Sequence, residues 1–119
     1  MSIRRHDFEA QLRFLPPEEG GRRTPIGQGY RADFRYLDDP AGTAWMIHPH
    51  ELITEAGDLL PEDAIVKGEV FARMYVLSNH YRVTEHCSHI KVGTQFQVVE
   101  GNHVVAEGVV TKLVGLHDA

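Results

Sequence analysis

Long apolar segments are absent from this sequence, and cysteine is nearly absent. No run approaches the roughly 18 consecutive apolar residues that a membrane-spanning helix needs, so no membrane association is predicted. Residues 1–7 contain no apolar stretch after their basic pair, so we expect no secretory signal here. The one cysteine, Cys87, cannot form an internal disulfide, which favours a reducing compartment and a cytoplasmic location.

Basic residues are also fewer than acidic residues. The chain has 12 Lys and Arg against 17 Asp and Glu, which gives a formal net charge of −5 with histidine neutral. Because nucleic-acid binders gain much of their affinity from basic contacts to phosphate, this balance disfavours an autonomous nucleic-acid-binding protein. The 8 histidines make the charge depend strongly on pH, since all of them can be protonated in mild acid.

Sequence signatures of common catalytic sites are missing as well. There is no Gly-x-Ser-x-Gly nucleophile motif and no Gly-x-x-x-x-Gly-Lys-Ser/Thr phosphate loop. The length of 119 residues fits one domain that covers residues 1–119. We expect this domain not to be an enzyme and to carry no cofactor.

The pattern that the sequence does contain is a two-residue periodicity. Five segments alternate apolar and polar positions or otherwise have the composition of strands: residues 8–14, 30–36, 70–76, 95–99 and 104–114. A short β-like run at residues 43–47 holds the only tryptophan, and residues 51–60 stay open between a helix, a loop and a short strand. Six or seven strands without a convincing long helix predict an all-β sandwich or barrel.

Histidines are the first group of candidate ligands. His48 and His50 would face the same way on a strand, and His86 and His89 lie close together further along the chain. No Cys-x-x-Cys or His-Glu-x-x-His accompanies them, so no metal site is predicted, with these four residues as the candidates if one exists. Cys87 is interpreted as an ordinary thiol, because a neighbouring His86 on a strand would face the opposite way.

Basic side chains form a second candidate group. Arg22, Arg23, Arg31 and Arg35 fall within one predicted hairpin, where they could contact phosphates or an acidic partner. Acidic residues of the same hairpin could equally neutralise them, and charge pattern alone leaves both alternatives open.

Several sequence blocks stand in order along nearly the whole chain: FEAQL at 8–12, EGGRRTP at 19–25, GYRADF at 29–34, GTQFQVVEG at 93–101 and VAEGVVTK at 105–112. They resemble the C-terminal β-barrel domain of elongation factor Tu, with its Glu-Gly-Gly-Arg-x-Thr-Pro and Gly-Tyr-Arg-Pro-x-Phe segments and its Gly-x-Arg-Phe-x-x-x-Glu-Gly hairpin. The resemblance implies a closed six-stranded antiparallel β-barrel. The middle of the chain is longer than the family pattern, which predicts a His-containing insertion within about residues 60–95.

The resemblance also implies a binding surface. In the family this domain contributes to binding the T stem of aminoacyl-tRNA and contacts the nucleotide exchange factor and the GTPase domain, which has no counterpart in this sequence. Asp33 stands where the family has glutamine, and His103 replaces an arginine. The candidate RNA- or partner-binding residues are Arg22, Arg23, Tyr30, Arg31, Asp33, Glu100, Gly101, His103 and Lys112.

Three functions follow from these observations. The first is a non-catalytic binding module for a protein, either a translation-related factor or a toxin, and the acidic balance favours it. The second is RNA binding, to the T stem of aminoacyl-tRNA or to a tRNA-like element. The third is a metal- or pH-responsive protein that uses the His-rich segment. An apolar strand face formed by Phe71, Tyr75 and Leu77 also suggests a protein contact or an oligomer.

Overall fold

The computed structural model describes residues 5–118, which form one curved sheet of six antiparallel strands. In chain order the strands are β1 (Phe8–Phe14), β2 (Asp33–Tyr36), β3 (Ile47–Ile53), β4 (Glu69–Val76), β5 (Gln95–Glu100) and β6 (His103–Leu113). Across the sheet their order is β2-β5-β6-β1-β4-β3. The predicted all-β, six-stranded antiparallel architecture is therefore confirmed.

The sheet is an open half-barrel, so the prediction of a closed barrel is wrong. β2 and β3 are the edge strands, and within the described residues their side of the sheet is joined by one isolated bridge. In this bridge Phe34 and Trp45 exchange backbone hydrogen bonds of 2.9 and 2.8 Å. Only Phe34 of the four residues of β2 is bridged on this side, so no ladder closes the barrel in the described chain.

The free edge of β3 is covered by a side chain. The Gln28 amide oxygen accepts from the Leu52 N–H at 2.7 Å, and its nitrogen donates to the carbonyls of Leu52 at 2.8 Å and Leu60 at 2.9 Å. The alternatives left open for residues 51–60 resolve into the end of β3, at Ile53, followed by a turn. These bonds pair the edge backbone groups of Leu52 in place of a neighbouring strand.

The core lies on the concave face of the sheet. In β1 every second side chain is buried, namely Phe8, Ala10, Leu12 and Phe14, as the two-residue period predicts. At the centre the rings of Phe34 and Phe96 stack with centroids 4.4 Å apart. The Phe96 ring lies directly over Gly108 of β6, where an added Cβ would come within 2.3 Å of the ring.

A short helical segment follows β4 at residues 79–89. It consists of α1 (Asn79–Tyr81), a π-helical turn (Arg82–His86) and α2 (Cys87–His89). The sequence does not predict this helical segment, because a helix is recognised by a periodic apolar face. The residues that this segment buries, Arg82 and His86, are polar. The Arg82 guanidinium donates to the carbonyls of Leu116 and Asp118, both at 2.8 Å, which fixes the segment to the end of the described chain. No helix among residues 5–118 is long and apolar enough to cross a membrane.

Antiparallel pairing gives the sheet two ends. At the Glu100 end, where β1 and β5 finish and β4 and β6 begin, Phe14 lies opposite Ala106. At the helical end, where the helical segment packs, Phe8 lies opposite Leu113. At about 3.3 Å per residue, the 11 residues of β6 separate the two ends by roughly 35 Å.

The contact between Gly108 and Phe96 predicts a loss of stability on substitution. Gly108→Ala places a methyl group against the Phe96 ring and forces the stacked rings to shift. We expect the free energy of unfolding, measured by urea denaturation, to fall by about 1–3 kcal/mol. Thr111→Ala on the exposed side of the same strand is the control and is expected to change it by less than about 0.5 kcal/mol. Equal stabilities of the two variants would contradict this account of the core.

Candidate functional site

Three of the predicted site residues form one cluster at the Glu100 end, which we call the Glu100 cluster. The carboxylate of Glu100 accepts hydrogen bonds from the Arg22 guanidinium and the Tyr30 hydroxyl. Arg22 also donates to the Thr24 hydroxyl at 3.0 Å, and its guanidinium lies 5.3 Å from the centroid of the Tyr30 ring. The ring of Tyr30 in turn packs edge-on against Phe14 with centroids 5.7 Å apart.

The turn between β5 and β6 ties this cluster to its surroundings. Gly101 has a φ of +60°, a conformation that glycine adopts without strain. Beyond the turn, His103 hydrogen-bonds to the carbonyl of Gly20 through Nε2. Arg35 of β2 donates to the Asn102 side chain at 3.0 Å and to the Thr43 carbonyl at 2.8 Å. The turn therefore joins two loops that are far apart in sequence.

The electrostatics of the Glu100 cluster are those of a neutral, internally satisfied group. Burial, reinforced by the hydrogen bond to Glu100 and its negative charge, raises the pKa of Tyr30 well above the usual value for a phenol. The positive charge of Arg22 is balanced by Glu100, with about a quarter to a third of each side chain exposed. The cluster thus holds the shape of the surface and offers little free charge to a ligand.

The structure places the remaining predicted residues in different settings. Asp33 pairs with Nε2 of His48 at 3.0 Å, which links β2 to β3 across the open side of the sheet. Arg23 and Arg31 are exposed and form no ion pair within residues 5–118. Lys112 lies near the helical end, roughly 30 Å along β6 from His103, and does not join the Glu100 cluster.

The four histidines considered as metal ligands are not gathered into one site. His48 is engaged by Asp33, and His50 lies beside Tyr75 with ring centroids 6.1 Å apart. His86 and His89 belong to the helical segment instead. Among residues 5–118, no three His, Cys, Asp or Glu side chains are grouped so as to hold a metal ion.

A second cluster, of aromatic and imidazole rings, lies at the helical end and was not found from the sequence. The hydroxyl of Tyr36 is 2.6 Å from Nδ1 of His86, and the ring of His89 stacks on Tyr36 with centroids 3.7 Å apart. Trp45 meets His86 edge-on at 4.8 Å and donates its indole N–H to Asp39 at 3.1 Å. The only hint in the sequence was a lone tryptophan upstream of a His-rich stretch, which does not specify a contact.

Burial determines the protonation state of His86. Its side chain is only 1% exposed, and desolvation, followed by the charge of His89, lowers the pKa of His86 to about 4. The imidazole is therefore neutral near pH 7 and can accept a hydrogen bond from Tyr36. The thiol of the adjacent Cys87 points elsewhere and donates to the Val83 carbonyl at 3.0 Å.

Comparison with known protein families gives one match. The family model of the elongation factor Tu C-terminal domain matches residues 2–114 of the 119-residue chain. The match includes both the Glu100 cluster and the helical segment, and it agrees with the family suggested by the sequence blocks.

The Glu100 cluster yields a prediction that distinguishes its partly buried ion pair from an exposed ion pair. Glu100→Gln leaves Arg22 without its counter-charge and is expected to lower the free energy of unfolding by about 1–2 kcal/mol. It should also lower the pKa of Tyr30 toward its ordinary value, because the negative charge that helps to raise it is gone. Urea denaturation and ultraviolet titration of the phenols measure the two effects.

Glu107→Gln is the matched control for this variant. Glu107 also pairs with an arginine, Arg13 at 2.6 Å, but the two side chains are 58% and 45% exposed. Exposed pairs contribute little, so a change below about 0.5 kcal/mol and an unchanged phenol titration are expected. An effect of Glu107→Gln as large as that of Glu100→Gln would argue against the cluster.

The buried imidazole of His86 predicts a pH dependence of stability. Its pKa is about 4 in the folded protein against 6.5 for an ordinary histidine, so the unfolded chain binds the proton first as pH falls. Stability is therefore full above about pH 6.5 and declines toward pH 4, by on the order of 3 kcal/mol. His86→Gln keeps a polar partner for Tyr36 but cannot titrate, so this part of the pH dependence should disappear.

Denaturation curves of the parent and of His86→Gln between pH 4 and pH 7.5 provide the measurement. His80→Gln removes an exposed imidazole from the same segment and should retain the pH dependence of the parent. The same pH dependence in the parent and in His86→Gln would show that His86 is not held neutral.

Proposed function

The chain belongs to the elongation factor Tu C-terminal domain family, and from that premise we propose that it is a non-catalytic binding module whose partner is a protein. Domains of this family are non-catalytic and take part in binding tRNA and translation factors. We place the partner among translation-related factors or toxins, and the module in the cytoplasm, where its one thiol, Cys87, stays reduced.

One surface feature carries the proposal, a group of apolar residues at the helical end that are joined by a backbone hydrogen bond and a ring contact. Met46 is 57% exposed, Leu77 51% and Tyr81 46%. The Leu77 N–H donates to the Met46 carbonyl at 3.0 Å, and the ring of Tyr81 packs on Trp45 with centroids 5.4 Å apart. These four side chains are named the Tyr81 patch. Aromatic residues and methionine are enriched at protein interfaces, and contiguous exposed apolar surface is typical of them.

Acidic side chains accompany the Tyr81 patch and indicate the charge of its partner. Asp39 accepts from the indole of Trp45. Burial, followed by the charges of Asp39, Glu85 and Asp38, raises the pKa of Tyr36, so all three carboxylates lie near this ring. The partner surface that fits would present apolar side chains flanked by lysine or arginine, because complementary charge favours association.

The contacts made by the residues that match the family's RNA-facing positions favour a protein partner over RNA. Arg22 is neutralised by Glu100, and Asp33 adds a negative charge that is engaged by His48. The Tyr81 patch, by contrast, includes a residue of the helical segment, which lies within residues 60–95, where the sequence predicts an insertion. We propose that residues 79–89 belong to an insertion in the barrel domain and supply this chain with a binding surface of its own.

Affinity capture with a matched pair of variants tests the proposal. The bait proteins are the parent, a Met46→Ser/Tyr81→Ser double variant, and Ile65→Ser, which removes an apolar side chain that is 74% exposed elsewhere. A protein partner should be captured from nuclease-treated lysate by the parent and by Ile65→Ser but not by the double variant. Calorimetry with the purified partner should then show at least tenfold weaker binding to the double variant, the size expected for an interface hot spot.

Three results would contradict the proposal. Capture that depends on intact RNA would favour the RNA-binding function. Equal binding of the parent and the double variant would remove the Tyr81 patch from the interface. Self-association that is lost only in the double variant would identify a second copy of the chain as the occupant of the patch. Far-ultraviolet circular dichroism of each bait checks that all of them are folded.

A further inference from the structure

A cleft of about 360 Å³ opens at the Glu100 end of the sheet. It lies between the end of β1 and the two segments that meet at the Ile26–Val66 bridge. Its walls are mainly apolar and include Phe14, Pro16 and Pro25 as well as the two bridging residues. The volume lies within the range of sites that hold small ligands or a few side chains.

The charged residues that line this cleft are all basic. They are Arg13, Arg22, Arg23 and Lys67, and no Asp or Glu stands with them among the described lining residues. The chain as a whole has 17 acidic residues against 12 Lys and Arg, so four basic residues around one cleft depart from its overall balance. Such a local field attracts anions despite the net charge of the protein.

Two of the four cations are free to meet a ligand. Arg13 is paired with Glu107 and Arg22 with Glu100. Arg23 and Lys67 are exposed and form no ion pair with any residue from 5 to 118. The cleft therefore combines an apolar wall with two unpaired positive charges at its rim.

We propose that this cleft binds an extended acidic segment of a protein. In an extended chain successive side chains point to opposite sides, so apolar residues can enter the cleft while carboxylates between them reach Arg23 and Lys67 at the rim. The apolar wall would contact the apolar side chains of the ligand, and the two free cations would pair with its carboxylates.

The chemistry of the cleft fits such a segment better than it fits single-stranded RNA. Single-stranded RNA is held by stacking of its bases on open aromatic faces. The one aromatic ring that lines the cleft, Phe14, is 9% exposed and packs against Tyr30. A net charge of −5 also repels a long polyanion more than it repels a short acidic peptide.

This site is separate from the Tyr81 patch and does not depend on it. Lys67 precedes β4 and Leu77 follows it, and the 8 residues of that strand span roughly 25 Å. The acidic segment is therefore a second binding partner at the opposite end of the sheet.

Fluorescence polarisation with a defined probe tests the proposal. The probe is a short fluorescein-labelled peptide of alternating Glu and Leu, titrated with the full chain at low and moderate salt. Saturable binding is expected, with affinity about tenfold lower for Arg23→Gln and for Lys67→Gln, the loss expected for one charge-assisted contact. Lys91→Gln makes the same change of charge at an exposed lysine that follows the helical segment and should bind like the parent.

Ligand controls complete the experiment. A peptide with Gln in place of Glu should bind at least tenfold more weakly than the acidic probe. No saturable binding of the acidic probe, or equal weakening by Lys91→Gln, would overturn the proposal. A labelled RNA hairpin that binds more tightly than the peptide and is weakened by Arg23→Gln and Lys67→Gln would overturn it in favour of RNA. Circular dichroism confirms that each variant is folded.

Discussion

The gap between β2 and β3 is the constraint on which the rest of this structure depends. β2 and β3 share no ladder among the described residues, so backbone groups on both edges need other partners. The Phe34–Trp45 bridge and the side chain of Gln28 supply backbone partners, and the Asp33–His48 side-chain pair links the two strands. Each of these contacts uses a polar group that would otherwise be available to a ligand. Because Asp33 and His48 pair with each other across the open side of the sheet, neither side chain is free to bind a ligand there.

The helical segment packs at one end of this gap, and it does so through buried polar groups. Arg82 is held by backbone carbonyls near the end of the described chain, and His86 is held by Tyr36. Polar burial is tolerated only when each group has a partner, so these contacts fix the orientation of the segment. With Arg82 and His86 facing inward, the apolar ring of Tyr81 is left on the outer side, beside Trp45. Anchoring by polar residues thus produces an apolar surface.

How well the sequence predicts each part of the structure depends on how far apart in sequence the interacting residues lie. Phe8 and Leu12 mark β1 because alternation is local and core packing follows it. Burial of Arg82 and His86 could not be predicted, since their partners lie more than thirty residues away or on another element. The resemblance to a family brought Arg22 and Glu100 into one candidate site. It did not indicate that the two charges cancel, because that depends on side-chain geometry.

Net charge describes this protein poorly because its charges are separated by the length of a strand. Asp39 and Glu85 lie near Tyr36 at the helical end, whereas Arg23 and Lys67 line the cleft at the Glu100 end. Salt screens exposed charges beyond about 8 Å at physiological ionic strength, and the 8 residues of β4 span roughly 25 Å. Neither end responds strongly to the charge of the other. The charge that each end presents is therefore set by its own residues, and an acidic chain can carry a basic cleft.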